Sequence, residues 1–364
     1  MRTVRYALVG FGGIAENRIA KEGFGLGGGV GGKPANATLV GATDLNPARR
    51  QAAAALGVRW YNDLAELLAD KAVDAVFIAT SNGTHAKIAL EALAAGRPCL
   101  VEKPMATTLA DAEAMAALAR ERGLSLAIDH MMTKNAFNLK AASLVESGAL
   151  GNVNDLCLHM ECLYGTTPEE AASWRCSDLS ELGGPIGDMA SHCLYMAEAL
   201  LKDKVASVSC AYHPKRLAIK VEDGATIYFQ TAGGVGGSAR VSFAEPRGGL
   251  VGTLSNLGYE IYGSKGALRG YGTLFQLSGH PGEPVSPRLT LETAEGAADV
   301  QVDNVANIYK AMIEAHARSI LDGPRMDGED GLRNLKLVLA AHESARQGGA
   351  KVGVCPAPVL GFRF

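Results

Sequence analysis

A doubly wound parallel α/β sheet followed by an α+β domain on a mainly antiparallel open sheet is the architecture this sequence predicts. Three observations predict it. Short apolar runs alternate with helical segments through the first 130 residues, a glycine-rich turn joins the first run to the first helix, and from about residue 135 the hydrophobic period becomes two.

Val4 to Val9 is a buried-strand run that leads directly into Gly10-Phe11-Gly12-Gly13-Ile14-Ala15, the pattern GxGxxA. The first glycine permits a tight turn, and the second lets a pyrophosphate approach the backbone. Ala15 lets the next helix pack closely on the strand with the phosphates at its positive end. Position makes the motif specific: it follows a strand and opens a helix. Thr38 to Thr43 is the second strand, closed by Asp44, whose carboxylate suits ribose hydroxyls and repels a 2′-phosphate. Asp44 therefore favours NAD over NADP, while Arg49-Arg50 is the competing signal and reads as the solvated face of the next helix. The long spacing to Asp44 comes from Glu22 to Pro34, where glycine is the commonest residue, read as a flexible surface insertion.

The alternation continues with a helix over Ala48–Leu56, a strand over Val58–Tyr61, and a helix over Asp63–Ala69 with Asp63 as its N-cap. Val73–Ala79 is a strand and Thr84–Ala95 a helix closed by Gly96. Next come the strand Pro98–Val101, a helix over Thr107–Arg122 and a strand over Leu124–Ile128. Ligands bind such sheets at the carboxyl edge, so Gly10, Asp44, Thr80 and Lys103 are expected to line one crevice. Glu102-Lys103-Pro104 places a cation where a buried strand ends, and the proline stops that strand. Asn82 and His85 follow Thr80, and Asp129-His130 closes the last strand. His85 alone reads as a histidine bonded within its own loop.

In the second half Ala136–Ser147 is helical, and Asn152–Tyr164 alternates Leu156, Leu158, Met160, Cys162 and Tyr164 against Asp155, Cys157, His159 and Glu161. Runs at 225–229, 239–243 and 257–261 and the turn Gly263–Gly266 extend the sheet, and helices near 304–321 and 329–347 end the chain. His159 and Glu161 make no metal site by themselves. Gly183-Gly184-Pro185 begins a helix to about Leu201, with Pro185 suited to its first position. Asp188 and His192, four apart, project together from it.

The chain has 364 residues, 48% hydrophobic and 20% charged, enough for two cores. A net charge of −3 and the lack of any Lys/Arg concentration exclude a nucleic-acid footprint. Seven scattered cysteines without a CxxC pair fit a reduced cytoplasmic setting. No apolar run approaches a membrane span, and the amino terminus has no signal-peptide h-region.

In this order, Gly10–Ala15, Glu102-Lys103-Pro104 and the glycine-led Asp188…His192 helix resemble the Gfo/Idh/MocA family of oxidoreductases. The likeness extends to Thr80-Ser81-Asn82 with His85, Trp174-Arg175, and Gly263 to Leu268. Pro185, Ser81 and Asp129-His130-Met131-Met132 depart from the common pattern, so sugar specificity is not carried over. The resemblance implies a Rossmann domain, here 1–130, and a substrate-binding and oligomerisation domain, 131–364. It implies a homodimer or homotetramer through the C-terminal sheet, a nicotinamide cofactor and oxidation of a secondary hydroxyl on a sugar, polyol or related compound. Carried over, His192 is the general base, Asp188 orients it, Lys103 bonds the reacting oxygen and Glu102 positions its loop. Cofactor binding falls to Gly10, Gly12, Gly13, Ile14, Ala15, Asp44, Thr80, Asn82, His85, Glu102 and Lys103, and substrate contacts to His130 and Trp174. No metal is expected. Glycoside cleavage through transient oxidation by bound NAD, or a regulator without chemistry, are the alternatives.

Overall fold

The computed structural model describes residues 2–29, 31–246, 254–280, 283 and 286–354. Val30 of the glycine-rich tract and Cys355 lie outside them. The chain forms two compact units, residues 1–134 with 306–335, and residues 135–305 with 336–364.

The first unit holds a parallel sheet of β1 (Val4–Val9), β2 (Ala37–Thr43), β3 (Arg59–Trp60), β4 (Ala75–Ile78), β5 (Cys99–Val101) and β6 (Leu126–Ile128), in the order β3-β2-β1-β4-β5-β6. β4, β5 and β6 are buried throughout, as strands covered on both faces must be. Asp63 caps its helix by accepting from the Glu66 N–H at 2.8 Å, and Thr108 caps Leu109–Arg122 by accepting from the Asp111 N–H. That helix ends at Gly123, whose φ of 62° few other residues adopt. Leu124 donates to the Ala119 carbonyl and finishes the helix, which is why β6 begins two residues later than its apolar run.

Two expectations change here. The tract 22–34 is not simply a flexible insertion: the preceding helix runs through wide turns to Gly23, and Leu26–Gly28 forms a 3₁₀ turn. Phe24 is buried, its ring 5.6 Å from that of Tyr6. Gly23 lies so close to the helix Ile308–Leu321 that a Cβ there would be 2.8 Å from Ile313 Cδ1. Asn307 Nδ2 donates to Glu22 at 3.1 Å and Lys310 Nζ to the Gly31 carbonyl at 2.8 Å. Second, residues 306–335 pack in the first unit, not in the second as the expected boundary has it. Ile308, Tyr309, Met312, Ile313 and Ala317 form a buried stripe that needs an apolar partner, and Tyr6 Oη meets His316 Nδ1 at 2.9 Å.

The second unit is built on β7 (Val153–Glu161), β8 (Val205–Tyr212), β9 (Gly224–Thr231), β10 (Gly236–Ser242), β11 (Leu257–Gly263), β12 (Gly266–Tyr271), β13 (Arg288–Thr293), β14 (Gly296–Asp299) and β15 (Val352–Gly353). Their order is β14-β13-β12-β11-β7-β10-β9-β8-β15. Only β7–β10 among the described pairs of this sheet is parallel. Leu156, Leu158, Met160, Ile227, Val241 and Ile261 point into the core. The other face carries Tyr228, Arg240, Cys157, His159, Glu260 and Arg269, and Tyr228 is 62% exposed.

Candidate active site

In the first unit the loops after β1, β2, β4, β5 and β6 leave the same edge of the sheet, and the strand order reverses between β1 and β4. Gly10 has φ 88°, and a Cβ there would sit 2.6 Å from the Ala79 carbonyl oxygen. Gly12 and Gly13 are exposed, and a Cβ on either meets nothing within 4 Å. Those two glycines border open space beside the start of a helix, which fits a pyrophosphate cradle. Ile14 is half-buried and Ala15 buried beneath that turn. Asp44 accepts from the Phe11 N–H at 2.6 Å and the Asn46 N–H at 2.8 Å, so the carboxylate braces the glycine turn. Arg49 is more than solvated helix: its Nε donates to the Phe11 carbonyl at 2.6 Å and its guanidinium pairs with Glu16. Arg50 is exposed.

Thr80 is half-buried and accepts at Oγ1 from the Thr84 hydroxyl at 2.7 Å, while Asn82 is buried in the 3₁₀ turn that follows. His85 is fully buried, with Nδ1 2.8 Å from the Pro104 carbonyl and Nε2 3.3 Å from the Thr80 carbonyl. Burial lowers its pKa, so the neutral ring donates one N–H, best to Pro104. His85 thus ties the loop after β4 to the loop after β5 and does not itself face open space. Glu102 and Lys103 are half-buried at that edge. Asp129 is fully buried beside Glu102, and burial followed by the Glu102 charge holds its carboxyl well above the usual range. His130 is buried with Nδ1 3.2 Å from Asp330.

In the second unit the glycines before the helix allow backbone to crowd. A Cβ at Gly183 would be 2.4 Å from the Arg175 carbonyl oxygen, and one at Gly184, φ 72°, 2.4 Å from Glu222 Oε1. The helix opens with a π-helical turn, Ile186–Ala190, and continues as α-helix over Ser191–Leu201. Such widened turns recur at functional sites because they displace side chains from α-helical register. Glu222 accepts from the Ile186 N–H at 3.0 Å and holds the helix start, and burial raises its carboxyl to about 7. Asp188 is half-buried, 3.7 Å from Arg175 Nε, and the Arg175 guanidinium lies 4.4 Å over the Trp174 ring. His192 is 4% exposed, and its Nδ1 lies 2.7 Å from Tyr195 Oη.

Sequence reading singled out neither Tyr195, Asp129 as a buried acid nor Glu222. Tyr195 is three residues beyond His192 on one helix face, a legible signal. Glu222 is 36 residues from Ile186, and no local pattern links them. Among the described residues no group of three or more His, Cys, Asp and Glu could hold a metal; Glu161 pairs with Arg240 at 3.0 Å.

A parallel sheet of this kind with a glycine turn at its carboxyl edge, beside a second unit on a large open sheet, is the architecture of a dinucleotide-binding protein. The comparisons narrow the class. Residues 4–130 match the model of an oxidoreductase family with an NAD-binding Rossmann fold, GFO_IDH_MocA, and residues 138–269 match the GFO/IDH/MocA C-terminal domain. The chain belongs to the Gfo/Idh/MocA family, as the sequence resemblance implies. It is 30% identical over 290 residues to a 1,5-anhydro-D-fructose reductase of Ensifer adhaerens, covering 78% of this chain and 81% of that one. It is 24% identical over 311 residues to a scyllo-inositol 2-dehydrogenase (NAD(+)) of Bacillus subtilis, covering 82% and 83%. The crystal structure of an aldose-aldose oxidoreductase from Caulobacter crescentus superposes with a TM-score of 0.80 at 22% identity, over 97% of this chain and all of that one. The protein is a dehydrogenase or reductase acting on CH–OH groups, with an NAD(P)-binding Rossmann domain.

Proposed function

We propose that the protein moves a hydride between a nicotinamide cofactor and a secondary hydroxyl or ketone of a sugar, polyol or related compound, with Lys103, Asp188 and His192 as its catalytic residues. The observation that carries this reading is the His192–Tyr195 contact of 2.7 Å inside a buried helix start. If Nδ1–H donates to Tyr195 Oη, Nε2 is left as an acceptor, the tautomer a general base needs. Bound NAD(P) supplies the hydride acceptor; the chain's part is the proton and the charge. Nε2 of His192 takes the hydroxyl proton, and the Lys103 ammonium bonds the oxygen as negative charge develops there. Asp188 with Arg175 and Trp174 orients the hydroxyl compound, and His130 contributes from the loop after β6.

The cradle falls to Gly10, Gly12, Gly13, Ile14 and Ala15, the ribose to Asp44, and the nicotinamide side to Thr80, Asn82 and Glu102, with His85 fixing the loops. NAD is the preferred cofactor: Asp44 is acidic, and Arg49 is engaged by Glu16 and the Phe11 carbonyl. The second unit supplies substrate binding and, through the exposed face bearing Tyr228, a homodimer or homotetramer contact. The cytoplasm is the setting. Among the described residues no helix is long and apolar enough to cross a membrane.

A panel of sugars, inositols and sugar acids, followed by NAD(P)H absorbance with NAD and NADP in parallel, tests the reading. Turnover is expected with NAD. Lys103→Ala and His192→Asn are each expected to lower kcat by ~10²–10⁴-fold. Full activity of Lys103→Ala on an identified substrate overturns the assignment.

A further inference from the structure

The carboxyl edge of the first sheet carries more acid than the proposed reaction uses. Val101 of β5 pairs with Ile128 of β6, and the ladder runs one step on, with the Asp129 N–H donating to the Val101 carbonyl at 2.7 Å. Glu102 and Asp129 are therefore register neighbours on adjacent parallel strands, and their side chains leave the sheet on the same side. Asp129 has no exposed surface, and both of its carboxyl oxygens and Glu102 Oε1 are sealed from solvent.

Two ionised carboxylates offer only acceptors to each other, and side by side in a buried place they repel strongly. A single proton between them changes both facts: one becomes a donor, and the pair carries one negative charge instead of two. The surroundings favour that state. Tyr309, from the helix Ile308–Leu321, interacts with both carboxyls, and burial keeps it a neutral phenol. Arg18 and Glu22 also act on Tyr309. Lys103 and Lys134 are the cations that act on Asp129, and Lys134 also interacts with Asp330 and Arg318.

We infer that Glu102 and Asp129 hold a single proton between them, and that Asp129, as the neutral acid, is a positioning residue that orients Glu102 and with it the Lys103 loop. The functional half of this statement rests on the proposed role of Lys103; the shared proton does not.

The test is infrared difference spectroscopy of the full chain without added substrate, comparing wild type with Asp129→Asn at pH 8, where Glu222, raised only to about 7, is mostly ionised and cancels. The expected result is a protonated-carboxyl carbonyl band in wild type that is lost in Asp129→Asn. Asparagine keeps an N–H donor toward Glu102, so its kcat is expected within about threefold of wild type, while Asp129→Ala falls by at least about tenfold. A difference spectrum with no protonated-acid band overturns the shared proton. Equal loss of kcat in Asp129→Asn and Asp129→Ala overturns the positioning role. If the band is present and Lys103→Ala is fully active, the shared proton stands and the reaction assignment falls.

Discussion

At the scale of single residues, the proposed role of His192 as a base turns on its tautomer. A buried imidazole with one nitrogen held by a phenol is a poised base; the same ring without that partner partitions between two tautomers, only one of them useful. Tyr195→Phe keeps the ring packing, 5.4 Å between centroids, and removes only the hydroxyl. It is expected to lower kcat roughly tenfold, or ~1.4 kcal/mol, with KM little changed, as measured by steady-state kinetics. An unchanged kcat would remove Tyr195 from the mechanism. The candidates Lys103, Asp188 and His192 were legible in the sequence because their residue types stand at interpretable places, a strand end and a helix start. Tyr195 was not singled out, although its spacing of three from His192 is a signal the sequence carries. Asp129 did not: an aspartate after a strand reads the same whether solvated or, as here, fully buried against a second acid.

At the scale of elements, the GxGxxA turn separates two demands that the pattern alone merges. Gly10 is required by the fold, because its φ of 88° and the 2.6 Å approach of the Ala79 carbonyl leave no room for a Cβ. Gly12 is not required by the fold, since a Cβ there meets nothing within 4 Å beyond its chain neighbours, and the glycine falls to the proposed pyrophosphate cradle. Gly10→Ala is therefore expected to lower the unfolding free energy by ~2 kcal/mol or more. Gly12→Ala should leave that free energy within ~0.5 kcal/mol and weaken NAD binding at least about tenfold. Thermal melts and cofactor titration measure the two effects, and a reversal would reassign both glycines. The strands were readable because an apolar run must be buried, and the Asp63 cap because capping is local. The π-helical turns over Ala15–Gly23 and Ile186–Ala190 were not, since Gly23 and Gly187 within them mark no particular helix type.

At the scale of the whole molecule, acid is the condition to which both units respond. His316 in the first unit and His342 in the second are each lowered to about 4 by burial. A histidine whose folded value lies below 6.5 contributes stability that is intact above that pH and lost as pH falls through the window toward 4. For His316 the drop from 6.5 to about 4 corresponds to on the order of 3 kcal/mol when fully expressed. Asp129, raised, and Glu222, raised to about 7, work in the opposite direction. Urea unfolding is expected to show His316→Gln losing less stability than wild type as pH falls from 6.5 to 4.5. The same slope in both proteins would show that His316 is not responsible. The two-part architecture was visible in the change of hydrophobic period near residue 135. The assignment of 306–335 to the first unit was not, because an apolar stripe tells that a helix will be covered and not by which sheet.

That late segment also sets an order of events during synthesis. The ribosome releases the glycine turn, Asp44 and Lys103 early, yet the stripe of Ile308, Tyr309 and Ile313 that packs in the same unit emerges some two hundred residues afterwards. The first unit cannot be completed before the body of the second has been made. Folding strictly from the amino terminus, one finished domain after another, is closed to this chain. From the completion of β6 until the helix Ile308–Leu321 emerges, the nascent dinucleotide sheet keeps an apolar surface open.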